Sequence, residues 1–193
     1  MREFTLWESR TQVGTDSDQA RLLRAQQGDR EALRALVVDH RRRMERLALS
    51  LVGEPEAARD IVQEAFVRML RSLLKLETDW GLRGWLDRVV VNLAVDYLRR
   101  AGRHRHQSLE TLPEPEDRPR RGEPDGPEGL RERVYKVLER LPTKYRTVLV
   151  LRDIEGRGID EIARLLGRRP GTVRWRLSVA RRRFRDHWCR EHG

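Results

Sequence analysis

The chain has 193 residues, 37% of them charged, and a mean hydropathy of -0.76. So little apolar material excludes a membrane-embedded bundle and disfavours one large core, leaving room for two small helical domains. The formal net charge of +10 implies a polyanionic partner, nucleic acid ahead of an anionic membrane surface. Cys189 is the single cysteine, so no intramolecular disulfide forms, which fits a reducing cytosol. MREFTLWESR lacks the apolar core of a signal peptide, and no apolar run approaches membrane-spanning length. The expected location is cytoplasmic.

Residues 1–15 carry no periodicity and read as a loose tail, either unfolded or folding on a regulator. From Asp16 the pattern turns helical and defines a first domain over 16–101. DQARLLRAQQGD and REALRALVVDHRRRMERLALSLVG give two helices, with Gly28 and Gly53 as stops. In EPEAARDIVQEAFVRMLRSLLKL the apolar set is Ala58, Ile61, Val62, Ala65, Phe66, Met69, Leu70, Leu73 and Leu74. That three-and-four spacing is an amphipathic helix. A fourth helix is predicted from about Leu82 to Arg100. Residues 102–128 are rich in proline, glycine and acidic residues and read as a flexible linker. Four short helices follow in a second domain over 129–193. No strand alternation of useful length occurs, so the fold class is all-α: two small helical domains on a tether.

IDEIARLLGRRPGTVRWRL has the layout of a helix-turn-helix. Ile159, Ile162, Ala163 and Leu166 make an apolar stripe, and Gly167 suits a left-handed stop. Pro170 sits where a helix's first turn loses no hydrogen bond. These spacings alone fit a structural corner equally well. The arginines decide, because no acidic residue occurs from Arg164 to Arg185. A solvated face would mix signs, whereas phosphate binding explains one sign. At 100° per residue Val173, Leu177, Ala180, Phe184 and Trp188 share the core side, and Trp175 falls nearly opposite. Trp175 therefore faces DNA, a partner protein or neighbouring arginine stems. Arg168, Arg169, Thr172, Arg174, Arg176, Ser178 and Arg181 complete the candidate DNA-binding set.

In GLRGWLDRVVVNLAVDYLRRAGRHR, Leu86, Val89, Val90, Leu93 and Tyr97 cluster on one face. Arg88, Asn92, Asp96, Arg99 and Arg103 form a polar stripe opposite, with Arg100 beside it. Asparagine and arginine can reach base edges, trailing arginines can hold phosphates, and Asp96 can orient Arg99 or Arg100. Trp80 is the candidate for stacking on an unpaired base; Trp85 has core spacing. Asp60, Gln63, Glu64 and Arg68 make a ridge whose carboxylates repel DNA and so suit a protein. Paired carboxylates on a helix without nearby histidine or cysteine are usually solvated, so neither catalysis nor a metal is expected there. His187, Cys189 and His192 leave a metal or redox role open, although only two of the three side chains comfortably share a helix face and such a trio is more often incidental.

DIVQEAF, GWLDRVVVNLAVDYLRR and the LP-KYR-VL-LRDIEG-----EIA-LLG---GTVR-RL pattern, in that order, resemble the extracytoplasmic-function sigma factors of bacterial RNA polymerase. The resemblance runs over about residues 18–188. It implies a non-enzymatic initiation factor, monomeric when free, with no cofactor and no small-molecule substrate. Its partners would be core polymerase, promoter DNA and an anti-sigma factor that can hold it at the membrane. The first domain would open and read the −10 element through Arg88, Asn92, Asp96, Arg99, Arg100 and Arg103, with the Glu77–Gly84 loop, including Trp80, capturing a flipped base. Asp60, Gln63, Glu64 and Arg68 would dock on the β′ clamp helices, and Lys144–Arg152 near the β flap. The second domain would read the −35 element, with Arg174, Trp175 and Ser178 facing bases. Seven acidic residues against three arginines over Glu110–Glu128 would thread a basic channel of the polymerase. Three departures from the family stand out: Leu70 where tryptophan is common, Trp175 where a small residue is usual, and Arg169 in place of a serine-like cap. A helix-turn-helix regulator without initiation activity, a polymerase or anti-sigma adaptor, and an RNA binder are the rival readings. The first lacks a sensory domain, the second leaves the arginine helix unused, and the third leaves the two-domain layout unexplained.

Overall fold

The computed structural model describes residues 18–76, 81–109 and 126–192. Among them every regular element is a helix, as the sequence predicts. Contacts divide the chain into two compact units, residues 1–49 with 54–93, and residues 50–53 with 94–193.

In the first unit, α1 (18–26) ends at Gly28, whose φ of +94° is a backbone state open to glycine. Asp29 then caps α2 (Arg30–Val52): its Oδ1 accepts from the amides of Glu31 at 2.9 Å and Ala32 at 3.0 Å. Those backbone bonds, with Arg24 beside the other oxygen, hold the Asp29 carboxyl below its ordinary range. Gly53, at φ +80°, breaks the chain before α3 (Pro55–Ser72), and Pro55 fills the first turn. Leu36, Met44 and Leu47 of α2 and Ala65 and Met69 of α3 are buried completely or nearly so. So are Leu86, Val90 and Val91 of α4 (Gly81–Leu109).

A polar chain lies within this unit. Arg43 pairs with the buried Asp87 of α4 and donates through Nη2 to His40 Nδ1 at 3.3 Å. His40 Nε2 lies 3.0 Å from Asp18 Oδ2, at the start of α1. Accepting at Nδ1 suits the neutral imidazole, and burial pushes the His40 pKa below its ordinary value against the pull of Asp18.

Two differences from the sequence reading concern boundaries and burial. The fourth helix does not stop near Arg100 but continues to Leu109, inside the stretch predicted as linker. Nothing in GRHRHQSL breaks a helix except Gly102, and a lone interior glycine costs only about 1 kcal/mol. The second difference is at the end of α3 and in the 3-10 turn after it, Leu73–Lys75, where Leu70 and Leu74 are 49% and 79% exposed rather than core. The remaining linker, 110–125, lies outside the described residues, as do the predicted tail, 1–15, and Trp80.

The second unit builds α5 (Pro127–Glu139), α6 (Thr143–Leu149), α7 (Ile159–Leu166) and α8 (Pro170–His192). Gly167 ends α7 in the left-handed conformation (φ 59°, ψ 45°), and the Arg168 amide closes the turn on Ala163 O at 2.8 Å. In α7 the buried set is Ile162, Ala163 and Leu165, while Ile159 and Leu166 are half-buried; the predicted stripe is off by one residue at its end. Val173, Leu177 and Ala180 of α8 are buried, so the predicted core side of that helix is the observed one. Between α6 and α7 the helix widens to a π-turn, Val150–Ile154, with the Glu155 amide bonded to Val150 O at 2.9 Å. The wider turn leaves Asp153 and Ile154 exposed.

Candidate functional site

Three surfaces gather the predicted residues. The first is the outer face of α8 and the turn before it. Arg168, Arg169, Arg174 and Ser178 are exposed, and Thr172 and Arg176 are half-buried. Arg168, Arg169, Arg174, Arg176, Arg182 and Arg185 make no ion pair among the described residues. Six uncompensated guanidinium groups on one short segment are held together only by the covalent helix, and their repulsion is relieved by a polyanion. Trp175 is 58% exposed, so the ring stays out of the core. It is not free of contacts, however. Its centroid stands 6.3 Å from that of Tyr145 on α6, tilted by 57°. The Tyr145 ring is in turn covered by Arg183 at 4.9 Å and Lys144 at 5.0 Å. An edge-tilted aromatic pair adds about 0.5–1.5 kcal/mol and restricts the indole before any ligand arrives. Arg181 differs from the DNA-facing residues it is predicted with, and stands apart from that set because a carboxylate already holds it. It meets Asp153 in two bonds, Nε to Oδ2 at 3.0 Å and Nη2 to Oδ1 at 2.6 Å, and this pairing raises its pKa further.

The second surface is the polar stripe of α4. Arg88, Asn92, Asp96, Arg99 and Arg100 are all exposed along one helix. The Asp96 carboxylate lies 3.7 Å from Arg99, and Arg100 Nε donates to Asp96 O at 3.3 Å. Arg103 continues the helix, but its side chain lies outside the described residues, and Trp80 precedes the helix in undescribed sequence. Trp85 is half-buried. The Arg43–Asp87 pair anchors this helix from beneath, one residue from Arg88. Sequence periodicity does not reveal that pair, because Asp87 and Arg43 are 44 positions apart and each is an ordinary charged residue in its own segment.

The third surface is α3 with its neighbour α2. Asp60, Gln63 and Arg68 are exposed, Glu64 is half-buried, and Arg68 Nε donates to Glu64 at 2.9 Å. Beside this ridge runs a groove of about 390 Å³ lined by Val37, Val62, Phe66, Val67 and Leu70, with Gln63, Arg41 and Arg59 among its polar members. The exposed Leu70 thus belongs to a concave apolar surface rather than to the core. Across α6 and the π-turn after it the predicted flap-facing stretch is mostly interior: Tyr145 through Leu151 are buried, leaving Lys144 and Arg152 outside. No group of three His, Cys, Asp or Glu stands together among the described residues, and none of the described helices is long and apolar enough to cross a membrane.

The chain is similar to known proteins over both units. Residues 36–104 match the Sigma-70 region 2 model and residues 131–184 the Sigma-70 region 4 model. The chain is 38% identical over 169 residues to the ECF RNA polymerase sigma factor SigE of Mycolicibacterium smegmatis, covering 83% of this chain and 64% of that protein, just under two thirds of its length. It is 33% identical over 174 residues to the ECF RNA polymerase sigma-E factor of Escherichia coli K12, covering 86% of this chain and 91% of that protein. Among solved structures, that of CnrH in complex with the cytosolic domain of CnrY superposes with a TM-score of 0.61 at 27% identity, over 88% of this chain and 96% of CnrH. The chain therefore belongs to the extracytoplasmic-function sigma factors of RNA polymerase.

Proposed function

We propose that this sigma factor directs promoter-specific initiation with three separate surfaces, and without chemistry of its own. The ridge of Asp60, Gln63, Glu64 and Arg68, with the groove behind it, docks on the β′ clamp helices of core polymerase. Carboxylates there repel DNA, and the apolar groove offers area that a solvated face would not keep open. The stripe of Arg88, Asn92, Asp96, Arg99, Arg100 and Arg103 meets the −10 element, with Trp80 stacking on a base released from the duplex. Arg168, Arg169, Thr172, Arg174, Trp175, Arg176 and Ser178 meet the −35 element as duplex. Lys144 and Arg152 are the residues left to face the β flap. The acidic stretch over Glu110–Glu128 occupies a basic path on the polymerase. An anti-sigma factor is the proposed regulator; the structural relative CnrH was solved with another protein's cytosolic domain bound. A cytoplasmic site of action follows from these partners.

One observation carries the reading: a tryptophan more than half exposed, braced by Tyr145, among six arginines that pair with no carboxylate among the described residues. Arginine supplies phosphate contacts that position, while a held ring supplies an apolar contact that discriminates, most simply with a thymine methyl or a sugar edge. Duplexes enriched from a random pool by the wild-type chain give the test. Trp175→Ala should weaken binding to them about tenfold and leave a random duplex unchanged, the low end of a single base contact. Equal affinities for the enriched duplexes before and after substitution would assign the ring to a protein partner instead.

A further inference from the structure

Arg181 is the odd member of the α8 arginine row, because it is already neutralised. Asp153 meets it side-on with two bonds of 3.0 and 2.6 Å. Two roles are open to such a pair: a strut that seats α8, or a charge withheld from DNA. Magnitudes separate them. Both side chains are substantially exposed, 56% for Arg181 and 37% for Asp153, and exposed pairs contribute little to holding a structure. Helix α8 is already seated by Val173, Leu177 and Ala180, all buried. What the pair changes is charge: Asp153 sits at a π-turn, outside the acid-free span from Arg164 to Arg185, and reaches into the row.

We propose that Asp153 is an electrostatic brake on sequence-independent DNA binding, acting by occupying Arg181 so that it does not clamp phosphate. This rests on the reading that α8 faces DNA. Its chemistry is competition between a carboxylate and a phosphate for one guanidinium. The carboxylate is covalently local and prepaid, so Arg181 adds no counterion release when the helix approaches an arbitrary duplex. A free chain with a net charge of +10 would otherwise be held more tightly by bulk DNA.

The experiment uses the full chain and a 30-base-pair duplex of random sequence, with affinity followed by anisotropy across a salt series. Asp153→Asn should bind about fivefold more tightly near 0.15 M salt, with a log–log salt slope steeper by about 0.9, the value of one added phosphate contact. The doubly neutral D153N/R181Q should match wild type in affinity and slope, because it removes a pair that contributes nothing to this binding. Two results would overturn the brake: D153N no tighter than wild type, or D153N/R181Q weaker with a slope shallower by about 0.9, which would make Arg181 a phosphate contact already. Circular dichroism of each variant confirms that the helices are retained. If wild type itself shows no salt-dependent binding, it is the DNA-facing reading of α8 that fails, a result distinct from either of those.

Discussion

Asp87→Ala is expected to destabilise the first unit by about 3–5 kcal/mol, the largest effect of any single substitution considered for that unit. Asp87 is 2% exposed and the Arg43 side chain only 18%, so removing the carboxylate strands a guanidinium in a low-dielectric setting. The loss propagates, because Arg43 also donates to His40, and His40 stands against Asp18 at the head of α1. Helix α4 carries the stripe proposed to meet the −10 element, so a loosened seat displaces the exposed Arg88 and Asn92 together. Urea unfolding followed by circular dichroism measures this; a change under 1 kcal/mol would mean that water reaches the pair. The same titration run against pH tests His40. Its pKa is lower folded than unfolded, so the unfolded chain binds more protons as pH falls. The neutral imidazole's contribution is complete above about pH 6.5 and is lost as pH drops from there through the folded value. His40→Gln should flatten that part of the profile.

Reversing the charge of the α3 ridge is the second large effect. Asp60→Lys with Glu64→Lys should weaken binding to core polymerase at least about tenfold, since like charges set against a complementary surface cost several kcal/mol. Both positions lie outside the buried set of α3, and so the helix itself should survive, with Ala58, Ile61, Val62, Ala65 and Met69 still in place. Labelled chain titrated with core polymerase reads the change. Unaltered affinity would move the docking surface elsewhere on the first unit.

Much of this was legible in the sequence because helices announce their faces. The spacing of Val173, Leu177 and Ala180 placed the core side of α8, and with it the exposure of Trp175. Glycines 28, 53 and 167 marked real stops, each with positive φ. The resemblance supplied the order of the two domains and the role proposed for each surface. What periodicity could not supply were partners distant in sequence: Asp87 for Arg43, Tyr145 for Trp175, Asp153 for Arg181. The π-turn that presents Asp153 follows directly on α6 within KYRTVLVLRDI and leaves no mark in composition. Leu70 misled for a related reason. It keeps helical spacing with the core of α3, yet lines an open groove, and spacing alone does not distinguish a filled interior from one awaiting a partner.

Run-off transcription decides whether this chain directs core polymerase to promoters. Core polymerase and this chain are combined on DNA fragments carrying promoters mapped from transcript start sites after induced expression. Discrete run-off products should require the added chain and disappear when α8 or the ridge is altered. Core polymerase that initiates no differently with and without the chain would contradict the proposed function.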